Sequence, residues 1–326
     1  MTNSHLGAHG PEVFPLGLGC MGMSSIYGAA DGDESIATIQ YAVDRGINLI
    51  DTGDFYAMGD NEMLIRQALA GRRDQVVLSV KFGALRSPDG TWGGYDSRPA
   101  AIKNFCAYSL KRLGTDHIDI YRPARLDPAV PIEDTIGAIA GLVKAGYVRY
   151  IGLSEVGAET IRRAQAVHPI VDLQIEYAMV TRNVEQEILP VLRELGIGMT
   201  AYGVLSRGLL SGSRPQSKAD MRSYLPRFTG ENYQRNRNLV DALASIAVQK
   251  EITPVQLALA WVLSRGGDIV PIPGARTRRQ LDEALGALAV KLSSEELSRI
   301  DAVVGEHPIA GTRYDARQMK MLDSER

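Results

Sequence analysis

Short apolar runs alternate with amphipathic stretches along almost the whole of this chain, and that rhythm constrains its fold more than any other feature. The runs lie at 13–18, 47–50, 76–80, 118–121, 150–153, 173–175, 198–201 and 269–272. Runs this continuously apolar suit parallel strands covered on both faces by helices. Between them, 35–44 repeats Ile36, Ile39, Ala42 and Val43 at helical spacing. Further helices are predicted over 61–69, 99–112, 132–145, 159–167 and 184–195. Thr253 followed by Pro254 reads as an N-cap with proline at the first helical position. Ser293 with Glu296 reads as a capping box. Eight strand–helix units in 326 residues predict an α/β fold of the (β/α)8 TIM-barrel type. A doubly wound sheet is the alternative. The chain reads as one domain over 1–326, with a core at about 13–304, a tail at 305–326 and extended loops on the C-terminal face.

The segment 213–235 lacks clear periodicity and holds Pro215, Pro226, Gly230, Tyr224, Phe228 and Tyr233. Loops of this length in compact domains commonly serve as lids or binding loops. Composition narrows the function classes. A net charge of −2 offers no basic surface for nucleic acid or anionic lipid. Cys20 and Cys106 make no disulfide framework and no metal-ligand spacing. The first ten residues are polar, so no signal peptide is expected. No apolar run reaches the length of a membrane span. The expectation is a cytoplasmic protein without a metal, acting on a small molecule, with its oligomeric state open.

Gly17-Leu-Gly19-Cys-Met-Gly22 matches a dinucleotide-binding glycine pattern literally. That pattern should open a helix and be followed by an acidic residue about 20 positions on. Here no convincing helix follows and the second strand ends only at Asp51, so the glycines read as an ordinary turn after the first strand.

Asp51 and Lys81 fall at or near the C-terminal ends of the second and third runs, on the face where barrels place catalysis. Tyr56 follows five residues after Asp51. Reducing a carbonyl requires hydride on carbon and a proton on oxygen. A phenol with a pKa near 10 is a weak acid at neutral pH. A nearby ammonium would lower that pKa, and a paired aspartate would hold the ammonium in place. Tyr56 as acid, Lys81 as activator and Asp51 as orienter form a coherent set.

These residues carry a resemblance. Asp51-Thr-Gly-Asp-Phe-Tyr56 with Asn61-Glu62, Lys81-Phe-Gly83, Ile151-Gly-Leu-Ser154-Glu and Gln174-Ile-Glu-Tyr177 resemble the aldo-keto reductase family. So do Tyr202-Gly-Val-Leu-Ser-Arg207-Gly-Leu-Leu and Pro271-Ile-Pro-Gly274. The resemblance implies a barrel that binds NADPH/NADP+ across its C-terminal face. It implies Ser154, Glu155 and Gln174 beside the nicotinamide carboxamide and Tyr202 stacked on its ring. Gly203, Val204, Leu205, Ser206, Arg207 and Gly208 would hold the pyrophosphate. Gly274, Arg276 and Gln280 would meet the 2′-phosphate region, and Glu283 the adenine. Independently, Arg276, Arg278 and Arg279 cluster before a helix, where an anion site is readily built.

Two positions depart from the family. Ala284 stands where the family usually has asparagine, removing one adenine contact. Ala124 stands where it has the histidine that binds and polarises the substrate oxygen. None of the five histidines is a good replacement. His117, seven residues earlier, would lie about 23 Å away at about 3.3 Å per residue. Arg122, Arg125 or a bound water remain as substitutes. Tyr27, Phe55 and Trp92 are candidate pocket walls beside Ala124, with Trp92 on a glycine-flanked loop. The function implied is NADPH-dependent reduction of an aldehyde or ketone. The alternatives are reduction of an activated C=C bond, alcohol oxidation in reverse, or a near-inactive NADPH-binding sensor.

Overall fold

Apolar residues at consecutive strand positions are satisfied only where both faces are covered, and the chain provides that cover on every side. The structure is a computed structural model and describes residues 3–326. Its main sheet has eight parallel strands in chain order. They are β1 (Leu18–Gly19), β2 (Leu49–Gly53), β3 (Val77–Phe82), β4 (Ile118–Pro123), β5 (Val148–Ser154), β6 (Ile170–Glu176), β7 (Gly198–Tyr202) and β8 (Ile269–Pro271). Hydrogen bonds from Gly17 N–H to Pro271 O and from Gly19 N–H to Pro273 O, both 3.0 Å, join the first strand to the last. A Cβ at Gly17 would sit 2.7 Å from Ile272 Cγ2, so glycine is what lets the two ends meet. The result is a (β/α)8 barrel.

The outer helices include α1 (Gly32–Asp44), α2 (Asp60–Ala68), α3 (Pro99–Leu113), α4 (Ile132–Lys144), α5 (Ala158–Val167) and α6 (Ile188–Leu195). They continue with α7 (Gly230–Gln249), α8 (Pro254–Leu263), α9 (Arg278–Gly286) and α10 (Ser294–Glu306). Thr253 and Ser293 each head a complete capping box, with Gln256 and Glu296 reaching back. Such caps are worth about 1 kcal/mol each.

The structure moves several predicted boundaries. The first run splits: Glu12–Val13 pairs antiparallel with Ser4–His5, and only Leu18–Gly19 joins the barrel. Leu6 and Val13 from that hairpin pack on Leu49, Ile120, Val171, Val270 and Ile272 and plug one end of the barrel. The helix predicted from 184 begins at Ile188, after a short 3-10 turn at Asn183–Glu185. The supposed loop 213–235 ends early, because α7 starts at Gly230. Trp92 lies on the strand Trp92–Tyr95, paired with Ala84–Arg86 in a hairpin over the C-terminal face. Its flanking glycines suggested a loop; strand pairing overrode them. Among the described residues, no helix is long and apolar enough to cross a membrane.

Candidate active site

Strand register brings the acid set together. Asp51 pairs with Ser79 across β2 and β3, and Lys81 sits two residues beyond, so both side chains enter the barrel on one side. Lys81 Nζ donates to Asp51 Oδ1 in a buried ion pair. Ser79 Oγ and Gln174 Nε2 each donate to Asp51 Oδ2 at 2.8 Å. Below them Arg122 Nη2 donates to Ser79 Oγ at 3.0 Å, and Arg122 Nη1 pairs with Asp172 at 2.9 Å. Gly152 leaves room for this pair, since a Cβ there would lie 2.6 Å from Asp172 Oδ1. Arg122 therefore points into the barrel core and does not line the cavity near Ala124.

Tyr56 follows β2 on a tight turn in which Ala57 (φ 46°) and Met58 (φ 54°) are both left-handed without being glycine. Strain of this kind is held only where the surroundings enforce it, and it clusters at functional sites. The turn buries Tyr56 with Lys81 Nζ 5.3 Å from its ring centroid. The expected electrostatics are reversed here. Burial first, then the Asp51 carboxylate, hold the Tyr56 phenol well above its ordinary pKa. Burial also pushes the Lys81 ammonium down. The Asp51 carboxylate opposes the ammonium's effect at the phenol, which the sequence reasoning did not weigh. Tyr56 is thus a neutral O–H at neutral pH.

Above these groups opens a cavity of about 800 Å³. Ser154, Gln174, Tyr202, Gly203, Val204, Leu205, Arg207, Gly208, Gly274, Arg276, Gln280 and Glu283 line it together with Asp51, Tyr56, Lys81 and Ala124. Tyr27, Phe55 and Trp92 form walls, with Phe55 edge-on to both Tyr56 (4.8 Å) and Trp92 (6.0 Å). Burial pushes the Tyr27 phenol up to about 12. The aromatics of 213–235 do not take part. Tyr224 is exposed, and Phe228 and Tyr233 pack with Leu209 and Leu225. That segment reaches the cavity through Ser213, Met221 and Arg222 instead.

The donor set fits an extended anionic nucleotide. Ser154 Oγ is buried without a protein partner beside Gln174. Arg276 donates to the backbone carbonyls of Gly28 and Ala29 at 3.2 Å and forms no ion pair among the described residues. Arg278 instead pairs with Glu34 at 2.9 Å, and Arg279 is exposed. Among the described residues, no cluster of His, Cys, Asp or Glu is arranged to hold a metal ion.

Two predicted cofactor contacts turn away from the cavity. Glu155, left-handed at φ 53°, is buried and gripped by Arg313 from the tail at 2.8 and 2.9 Å. It also accepts from Tyr202 Oη at 2.6 Å and Ser324 Oγ at 2.7 Å. Its carboxylate stays ionised, because Arg313 and Arg125 outweigh the cost of burial and hold its pKa low. Ser206 is buried and accepts from Arg227 at 2.9 Å. Arg227 and Arg207 meet Glu176 at 3.1 and 3.3 Å. Arginines claimed these side chains first, from positions too far along the chain for local spacing to reveal.

The tail supplies the group that sequence reasoning missed. Tyr314 lines the cavity, stacks under Arg207 (4.3 Å to its ring centroid) and lies 3.1 Å from Tyr202 Oη. Arg125 Nη2 donates to Tyr314 Oη at 3.1 Å and Nη1 to Ala124 O at 2.6 Å. Among the described residues, no histidine lines the cavity. His117 pairs with Asp116 and Asp119 at the start of β4, and His307 caps α10.

Comparison with known proteins agrees with this architecture. The aldo/keto reductase family model matches residues 15–304. A probable aldo-keto reductase of Glycine max is 43% identical over 316 residues, covering 95% of this chain and 90% of the relative. A glycerol dehydrogenase of Gluconobacter oxydans superposes with a TM-score of 0.85 at 27% identity, covering 95% and 97% of the two chains. An aldo/keto reductase of Klebsiella pneumoniae, solved with NADP and acetate, gives 0.74 at 26% identity, covering 97% and 99%. The matched family, the closed barrel and the nucleotide-shaped cavity over its C-terminal face together show that this chain belongs to the aldo/keto reductase family and is an oxidoreductase of carbonyl compounds.

Proposed function

We propose that the chain reduces an aldehyde or ketone with NADPH, with Tyr56 as the proton donor. The observation that carries this reading is Tyr56, a neutral buried phenol opening on the cavity above the Lys81–Asp51 pair. Ser154 and Gln174 would hold the carboxamide, Tyr202 the nicotinamide face, and 203–208 the pyrophosphate. Arg276, without a carboxylate of its own, supports the 2′-phosphate and hence NADPH over NADH. When bound, the reduced nicotinamide supplies hydride to the carbonyl carbon. Tyr56 donates its proton to the carbonyl oxygen as negative charge develops there. An alkoxide is a stronger base than a phenolate, so the transfer runs downhill even from a phenol of raised pKa. Lys81, fixed by Asp51, stabilises the phenolate left behind. Residues 13–304 act as the barrel core and 305–326 as a tail that completes the rim.

Likeness to a glycerol dehydrogenase favours a second reading, in which the same groups run an alcohol oxidation. Fluorescence titration with NADPH and NADH tests the cofactor. NADPH oxidation with aldehydes, ketones and enones, comparing wild type with Tyr56→Phe, tests the acid. Turnover lost with binding retained supports the reading; turnover unchanged in Tyr56→Phe defeats it.

A further inference from the structure

Arg125 has an unusual position. It is partly buried, lines the cavity next to Ala124, and pairs with no carboxylate among the described residues. Two of its contacts go to uncharged oxygens, which leaves most of its five N–H donors uncommitted. The arginines gathered with it around Tyr314 and Glu176 have acids, whereas Arg86 and Arg276, elsewhere on the cavity wall, bond only backbone carbonyls among the described residues. Arg313 pairs with Glu155 and Glu325, and Arg207 and Arg227 share Glu176. In this cluster four guanidiniums face three carboxylates, and Arg125 is the one that makes no direct ion pair. A cation withdrawn from water without a counter-ion is costly, and a protein retains one where a ligand brings the anion.

Its surroundings select the anion. Tyr314, Tyr202, Glu155 and Tyr95 all act on the guanidinium, but Glu155 is in the grip of Arg313 and not in contact with Arg125, whose own charge is felt at Tyr56 and Lys81. The nucleotide's phosphates have other arginines to meet, Arg207 and Arg276. Arg125 instead occupies the rim beside the empty histidine position and the hairpin that carries Trp92 and Tyr95. A guanidinium presents paired donors that match a planar carboxylate. One surplus positive charge calls for a monoanion rather than a doubly charged phosphate.

We propose that Arg125 binds a carboxylate on the substrate, making the preferred substrate a short carbonyl compound that also carries an acid group. This rests on the carbonyl-reductase reading above and names its substrate class. Tyr314, hydrogen-bonded to Arg125, holds the guanidinium in position. The charge pair then orients the carbonyl, a task that Ala124 cannot perform.

The test compares kcat/KM for 4-oxobutanoate and for butanal in wild type, Arg125→Met and Arg125→Lys. Wild type should prefer the acid. Arg125→Met should reduce that preference about 30-fold or more, and Arg125→Lys should restore part of it. Equal rates on the two aldehydes in wild type would overturn the proposal. So would an equal loss on both in Arg125→Met, or a stronger preference for a phosphate-bearing aldehyde. Calorimetric titration with butyrate gives a readout free of turnover. Weaker binding to Arg125→Met than to wild type, with the melting temperature retained, supports the site; equal affinity overturns it. Butyrate binding through Arg125 without turnover of either aldehyde would defeat the reductase reading while leaving the carboxylate site standing.

Discussion

In the barrel interior Asp51 and Asp172 meet Lys81 and Arg122 in a chain of hydrogen bonds that runs through Ser79. On the rim, four arginines face three glutamates, joined by residues from strand ends, loops and tail. The interior is balanced and built almost entirely from strands. Such a set resists rearrangement, because removing one member leaves another charge buried and unpaired. The rim is unbalanced, and its spare cation faces the cavity. A balanced network serves to hold catalytic groups still; an unbalanced one is suited to receiving an anion.

The largest effect should come where the balanced network meets the cavity. Tyr56→Phe should lower turnover about 10²- to 10⁴-fold, the usual contribution of a general acid. NADPH affinity in a fluorescence titration should stay near wild type. If turnover survives, the interior network does not serve an acid and the contrast loses its functional meaning.

Next comes a paired stability measurement. Lys81→Met strands Asp51 in the interior and should cost about 3–5 kcal/mol in urea unfolding. Arg125→Met breaks no contact ion pair, only the hydrogen bonds to Ala124 O and Tyr314 Oη, and should cost about 1–2 kcal/mol. Similar losses in both would show that the rim is as tightly balanced as the core.

The third test concerns the tail. Glu155 has its pKa lowered from the ordinary 4.5, against the cost of burial, chiefly by Arg313. Its contribution to stability is therefore present above about 4.5 and lost as pH falls below it. Hydrogen exchange in 308–326 should accelerate at acid pH in wild type. In Arg313→Met it should be fast already at neutral pH. Protection of the tail in that variant would show that contacts other than this pair hold it down.

The smallest effect belongs to a carboxylate outside both networks. Burial, followed by the Glu62 charge, pushes Asp54 up from 3.8 to about 7. Its protonated form suits the fold, so that stability is present below 3.8 and lost as pH rises through about 7. Asp54→Asn should raise the Tm at pH 8 by a few degrees and change it little at pH 4. An unchanged Tm at pH 8 would mean that this site tolerates the charge.

Much of the fold was legible because it rests on local patterns. The run 118–121 had nowhere to go but a strand covered on both faces, and Ile118–Pro123 is one. The boxes at Thr253 and Ser293 needed only four neighbouring residues each. Errors gathered where pairing with a nearby strand overrode the pattern within the run itself. Val13 left its run for a hairpin with Ser4. Trp92 joined a strand because Arg86 lay opposite. The proposed catalytic trio was legible by residue type, yet its electrostatics were misread, since the pKa of Tyr56 depends on burial and on the nearness of Asp51.

The sequence alone determined the eightfold alternation, the helix caps, the family motifs and the vacancy at Ala124, because each is set by the order of nearby residues. Only the tertiary structure decided that Glu155 and Ser206 face ion pairs rather than the cavity, that Arg122 is locked inward, and that Tyr314 reaches Arg125. Those outcomes depend on how polar and charged groups separated by up to 189 positions share a small buried volume. Desolvation makes each unpaired charge costly, so the pairing is settled by the folded neighbourhood and not by spacing along the chain.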